Sequence, residues 1–194
     1  MTNIGTPADF PLLIKSLLRT PLQIAADVEI VSGGLMRYSY RTFEDRLKRF
    51  AAGLTAQGIG QGDVVAVMDW DTHRYFEAFF AVPMIGAVLH TVNVRLAPAQ
   101  IAYTINHAED DVILVHTDFL PLLTEVMALV TREVRLILLR DDPAQHPETH
   151  FSFITSYDEI MAAPADDVTF PDFDENSRAT TFYTTGTTGD PKAV

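Results

Sequence analysis

Between residues 63 and 140, short runs of continuous apolar character alternate with longer stretches whose apolar positions recur every three or four residues. The runs "DVVAVMD" (63–69), "AVLHTV" (87–92), "DVILVH" (111–116) and "EVRLILLR" (133–140) read as strands. A strand with no polar face is one covered on both sides. The stretches "THRYFEAFFAVPMIG" (72–86), "APAQIAYTINHAE" (97–109) and "DFLPLLTEVMALV" (118–130) read as helices, the second with Pro98 near its first position. Pro83 and Pro121 fall inside two of them and predict a kink or a late start. This alternation predicts an α/β fold, a mainly parallel sheet layered between helices.

The flanks are less regular. "DFPLLIKSLLR" (9–19) has helical spacing, with Asp9 a candidate N-cap ahead of Pro11. Residues 28–40, "VEIVSGGLMRYSY", read as a hairpin turning at Ser32, Gly33 and Gly34. Thr42 and Asp45 have capping-box spacing, and the helix expected over 43–57 aligns Phe43, Leu47, Phe50 and Leu54 on one face before Gly58. Downstream come a polar loop (141–150), a short helix (156–163) capped by Ser156, and an acidic connection (164–177). Its 165–175 run reads as a solvated linker. "ATTFYTT" (179–185) alternates like a strand and feeds "GTTGDPKAV" at the edge of the sheet.

Composition narrows the function classes. Fourteen basic against twenty-six acidic residues give a net charge of −12, a field that repels nucleic acid. With no cysteine, disulfides, thiolate catalysis and zinc–thiolate sites are excluded. No apolar run approaches the ~18 residues of a membrane span. The N-terminus lacks the basic start of a signal peptide, so a cytoplasmic protein is expected.

The densest chemistry lies in "TTGTTGDPK" (184–192). Gly186 and Gly189 let a ligand approach the backbone closely. Thr184, Thr185, Thr187 and Thr188 place hydroxyl donors beside successive backbone N–H groups, Pro191 stiffens the exit, and Lys192 supplies a cation. Such a set suits a polyphosphate, and a threonine hydroxyl can also ligate Mg²⁺. The Walker pattern is absent, because Asp190 and Pro191 separate Gly189 from Lys192 and Ala193 follows. Composition alone leaves a second reading open, a threonine–glycine turn with an exposed lysine.

The order of these residues resembles the phosphate-loop signature of the adenylate-forming superfamily, which includes acyl-CoA synthetases, adenylation domains and beetle luciferases. The pattern is specific over about ten positions and departs only at Ala193, where glycine is usual; the added methyl leaves the donor set intact. "GAVLHTVNVRL" and "INHAEDDVIL" extend the resemblance upstream, to the medium- and long-chain branch of fatty-acid–CoA ligases. A methylmercaptopropionate–CoA ligase is a near alternative. The resemblance implies an acyl-CoA synthetase-like fold and a parent enzyme that uses ATP, Mg²⁺, a carboxylic acid and coenzyme A. It assigns the β- and γ-phosphates to Thr184, Thr185, Gly186, Thr187, Thr188, Gly189 and Lys192, with Thr184 as the first Mg²⁺ contact and Thr185 the second.

Other residues carry weaker readings. His90 and His107 could serve as bases, but a lone histidine at a strand or helix end more often bonds backbone groups. Asn93 and Arg95 follow a strand's C-terminal end and read as loop anchors or a subunit contact. Asp69 and Asp71 around Trp70 read as a solvated turn rather than a metal site, and Tyr75, Phe76, Phe79 and Phe80 as core rather than an acyl pocket. In the resembled family the adenine contacts, the metal-binding glutamate and the catalytic lysine come later than residue 194. Residues 1–194 are therefore expected to be the N-terminal part of a large AMP-binding domain, without a catalytic residue and inactive alone, their last ten residues mobile or misplaced. The rival class is a non-catalytic α/β association module, and the resemblance also implies a homodimer.

Overall fold

The computed structural model describes residues 11–33, 36–162, 164–165, 168–184 and 191–194. A 3-10 turn (Ile14–Leu18) runs into α1 (Arg19–Ile24), so this helical segment starts later and ends later than the 9–19 expected; Asp9 lies outside the described residues. The hairpin forms from β1 (Glu29–Ser32) and β2 (Met36–Ser39). Ser39, not Thr42, caps α2 (Tyr40–Ala56): its side chain accepts from the Thr42 N–H, three residues before the expected capping box. The polar residue nearest the strand end wins because it already has the extended backbone that a cap needs. Gly58, at φ 72°, then provides the left-handed residue that ends α2.

The alternation predicted over 63–140 is present as β3 (Val64–Met68), α3 (His73–Met84), β4 (Val88–Thr91), α4 (Pro98–Ala108), β5 (Val112–His116), α5 (Leu120–Met127) and β6 (Arg135–Leu139). Pro121 delays the start of α5 behind a 3-10 turn, whereas Pro83 sits in the last turn of α3. A two-residue strand, β7 (Thr155–Ser156), was not foreseen; Ser156 at once caps α6 (Tyr157–Met161) in a full capping box with Glu159. β8 (Thr180–Thr184) and β9 (Lys192–Ala193) close the chain.

The main sheet has the order β7-β6-β5-β3-β4-β8-β9, parallel throughout except for the last pair. Residues of β3 alternate between two cores. Val65 and Val67 face Phe43, Leu47, Phe50 and Leu54 of α2 with α3 and α6, while Ala66 and Met68 face Ile101 and Ile105 of α4 with Leu123 of α5. The chain is thus the expected three-layer α/β/α arrangement.

Three buried or paired groups correct the reading of the sequence. Asp69 is not in a solvated turn: it is buried, accepts from the Trp70 N–H and the Thr72 hydroxyl, and pairs with buried Arg74 at 3.1 Å. Of the aromatic set, Phe79 is 42 % exposed, because α3 turns that flank outward at the rim of the sheet. The acidic run 165–175 is not wholly solvated: Asp172 pairs with Lys15 at 2.8 Å, and Glu175 accepts from the Leu12 N–H. The connection thereby ties the N-terminal turn to the base of the sheet.

A buried polar knot fastens the α2/α3/α6 layer. Glu77, fully buried, accepts from Arg46 Nε at 2.6 Å and from the Tyr38 hydroxyl at 3.1 Å, and bonds the Tyr157 hydroxyl, which also accepts from Arg46 Nη2 at 2.7 Å. Burial, aided by Glu77, pushes both tyrosine hydroxyls well above their ordinary range, so they remain donors.

A candidate phosphate-binding edge

The chain leaves β3 toward α3 on one face and leaves β4 toward α4 on the other, so a crevice opens between the strands' C-terminal ends. Its volume is about 680 Å³, and Trp70, Tyr75, Phe79, Asn93 and Arg95 line it together with Phe182 of β8. Asn93 is the loop anchor expected of it, its side chain accepting from the Arg95 N–H at 3.1 Å, while Arg95 stands exposed at the rim.

β8 brings Thr184, the first residue of the threonine–glycine segment, to this edge. Its parallel ladder with β4 ends at Thr91 opposite Phe182, and Tyr183 and Thr184 extend past it. There they pair with β9, Tyr183 opposite Ala193 and Thr184 opposite Lys192. Phe182 and Val194 exchange both backbone hydrogen bonds, at 3.2 and 2.9 Å, so residues 192–194 run in a ladder with β8. Directly opposed residues of an antiparallel pair share a face, so the Thr184 hydroxyl and the Lys192 side chain lie on the same side of the hairpin, both exposed. Among the described residues, Thr184 Oγ1 has one long approach, 3.5 Å to the Lys192 carbonyl. Thr185, Gly186, Thr187, Thr188 and Gly189 lie outside the described residues. Ala193 occupies extended strand backbone, and Glu109 is the only non-glycine with positive φ among the described residues; the departure from glycine therefore requires no strain at this position.

No group of three or more acidic, histidine or cysteine side chains among the described residues could cage a metal. A hydroxyl at Thr184 fits Mg²⁺ in the other way that ion is held, by one or two protein oxygens with water and substrate phosphates.

The histidines are bonded differently from expectation. His90 is fully buried, with Nδ1 at 2.7 and 3.0 Å from the two carboxylate oxygens of Asp110, not on backbone groups. Burial raises the Asp110 pKa against the lowering influence of His90. His90 Nε2 is buried without a partner among the described residues. His107, exposed, bonds the Tyr183 hydroxyl through Nδ1 at 2.8 Å. The Tyr183 ring stands edge-on to both imidazoles, with centroids 5.2 and 5.7 Å away. Burial, with the Asp110 charge, pushes the Tyr183 hydroxyl up to about 12. Tyr183 shares a strand face with Thr181, the residue paired with His90, and this register brings the ring to the imidazole.

Comparison with known proteins identifies the family and the fold. A family model described as AMP-binding enzyme matches residues 19–194. The chain is 41% identical to a long-chain-fatty-acid–CoA ligase of Thermus thermophilus, covering 98% of this chain and 34% of that protein. It is 35% identical to a 3-methylmercaptopropionyl-CoA ligase of Ruegeria pomeroyi (95% and 35% covered) and 32% identical to a medium-chain-fatty-acid–CoA ligase of Ectopseudomonas oleovorans (94% and 34%). The chain thus spans about a third of the length of these relatives. Among solved structures, an anthranilate–CoA ligase in complex with anthranoyl-AMP superposes with a TM-score of 0.82 at 18% identity, over 97% of this chain and 35% of that one. A fatty acyl-CoA synthetase of Mycobacterium tuberculosis gives 0.70 at 22% identity, over 94% and 34%. With a matched family model over most of its length and the same fold as these ligases, the chain belongs to the AMP-binding enzyme family.

Proposed function

We propose that residues 1–194 supply the N-terminal part of the large domain of an ATP-dependent, cytoplasmic fatty-acid–CoA ligase. The single observation that carries the reading is the pairing of Thr184 with Lys192, which sets a hydroxyl and a cation on one face of a hairpin at the ligand-binding edge of the sheet. The donors between them, Thr185, Gly186, Thr187, Thr188 and Gly189, complete a grip for the β- and γ-phosphates. In the activation step a substrate carboxylate attacks the α-phosphorus, an acyl-adenylate forms, and pyrophosphate leaves. The acyl group then passes to the coenzyme A thiol, releasing AMP. The obstacles to the first step are anion repulsion and positioning, so hydroxyl and backbone donors with Lys192 act by neutralising the departing pyrophosphate. Thr184 would help hold Mg²⁺, which would supply positive charge to the phosphates. None of these residues attacks the substrate.

Fatty acids are the favoured acid because relatives at 41% and 32% identity are named for them; methylmercaptopropionate is the alternative, on the relative at 35%. Replacing Lys192 and the four loop threonines together in the full-length protein should slow ATP–pyrophosphate exchange far more than transfer from a preformed acyl-adenylate. Equal loss in both single-turnover half-reactions counts against the proposal, as does measurable exchange by the 194-residue chain alone. A homodimer through the N-terminal region is a second reading, favoured by Leu17 and Ile24, which stand 63 % and 80 % exposed seven residues apart on one short helical segment. A size-exclusion mass of one chain at micromolar concentration refutes it.

A further inference from the structure

The last two residues of β8 overhang the sheet. Among the described residues, the backbone pairing of β8 to β4 stops at Phe182, so Tyr183 and Thr184 pair on the β9 side alone, with Ala193 and Lys192. A two-stranded overhang has little stability of its own. Yet it carries Thr184 and Lys192, which the proposed nucleotide grip needs in a fixed place. What ties it to the helical layer is a side chain: the Tyr183 hydroxyl reaches His107 Nδ1 on α4 at 2.8 Å. The ring itself closes on His90, which Asp110 clamps from behind, and His107 is in turn stacked on Tyr103, 5.5 Å between centroids. The ring also packs against Val64, Val88 and Ala108, so its plane is set by apolar walls and its tip by one hydrogen bond.

We propose that Tyr183 and His107 are positioning residues for the phosphate loop, a latch between β8 and α4 that fixes where Thr184 and Lys192 stand, with the buried His90–Asp110 pair as the wall on which the tyrosine ring seats. The inference rests on the nucleotide-binding role proposed above. Neither residue touches a reacting atom in this scheme. Their effect is on how well the loop is preorganised for the triphosphate, and so on ATP rather than on the acid.

The test compares Tyr183→Phe, His107→Ala and His107→Asn in the full-length protein. Losing the hydrogen bond in Tyr183→Phe or His107→Ala raises KM for ATP by about two- to tenfold, the range expected of one such bond, and leaves KM for the fatty acid unchanged. His107→Asn, whose amide oxygen can accept from the tyrosine, restores the wild-type KM. The double variant Tyr183→Phe/His107→Ala is no worse than either single change, as two ends of one bond require. Amide hydrogen exchange at Thr184, Lys192 and Val194 quickens in the two disrupted variants and not in His107→Asn. An unchanged KM for ATP in both disrupted variants overturns the latch, as does an equal rise in KM for both substrates. If the wild-type protein activates no carboxylic acid, the function proposed above falls by itself. The exchange rates still decide the latch: quickening supports it and unchanged rates overturn it. Should Tyr183→Phe fail to fold, His107→Ala, altered at an exposed side chain, carries the same readouts.

Discussion

Gly53 tests the packing of α2 against α6. Helix propensity says that Gly53→Ala should stabilise an interior helical position by about 1 kcal/mol. The structure says otherwise. A Cβ at Gly53 would lie 2.6 Å from Ile160 Cγ2, 2.7 Å from the Ile160 carbonyl oxygen and 2.9 Å from Ile160 Cα. A rotamer change could move the methyl, but the carbonyl and Cα belong to the backbone, so α6 itself must shift outward. Overpacking of this kind costs about 1–3 kcal/mol. The shift also draws Tyr157 away from Glu77 and Arg46, weakening hydrogen bonds to charged groups worth about 1.5–3 kcal/mol each. Set against the propensity gain, the net expectation is a loss of about 2–4 kcal/mol. With a urea slope of about 2–3 kcal/mol/M, the unfolding midpoint drops by roughly 1 M. Gly60→Ala is the control, since nothing lies within 4 Å of its Cβ position and its φ is not positive. A Gly53→Ala midpoint equal to or above wild type refutes the reasoning, because it would mean that propensity, not the close approach of α6, governs the site.

Two further perturbations follow from buried charge. Burial, with Arg74 and Arg46 nearby, lowers the His73 pKa to about 4, against about 6.5 in the unfolded chain. The unfolded state therefore takes the proton first, and stability present above pH 6.5 is lost as pH falls toward 4, by about 3 kcal/mol at most. His73→Gln should flatten urea midpoints measured between those pH values, and an unaltered slope rejects the shift. Glu77→Gln leaves Arg46 without its buried counter-charge, for an expected loss of about 3–5 kcal/mol and a lower thermal midpoint; an unmoved midpoint would show that Arg46 finds solvent instead.

The layered core was legible because its strands have no polar face. Each of β3 and β5 is buried along its whole length, so hydrophobicity alone marks it. The threonine–glycine segment stands out in the sequence because its donors are contiguous; its grip on phosphate is a proposal, and residues 185–190 are outside what the structure describes. The tether was not legible. His90 and Asp110 lie twenty positions apart, His107 and Tyr183 seventy-six, and only the sheet order makes them neighbours. Asp69 was misjudged for a different reason: its partner Arg74 lies only five residues on, but α3 turns it back over the strand end, where it also binds the Arg140 carbonyl and Asp141. Arg74 and Glu77 in the midst of an apolar helix were the available warning, since charges there are buried only when paired. The helix cap was misplaced because Ser39 and Thr42 are chemically equivalent candidates, and the end of β2 decides between them.

The acidic connection has a kinetic corollary. It carries the chain from α6, which follows β7 at one margin of the sheet, to β8 beside β4 near the opposite margin, with the Phe173 ring seated close against Gly86 on the way. β8 joins β4 across roughly 90 intervening residues, the longest loop closure in the sheet and the one with the greatest entropic delay. Its docking edge does not exist until β3 and β4 are already side by side. By this argument the hairpin bearing Thr184 and Lys192 is expected to dock last, so the phosphate grip proposed for it would form only on a completed scaffold.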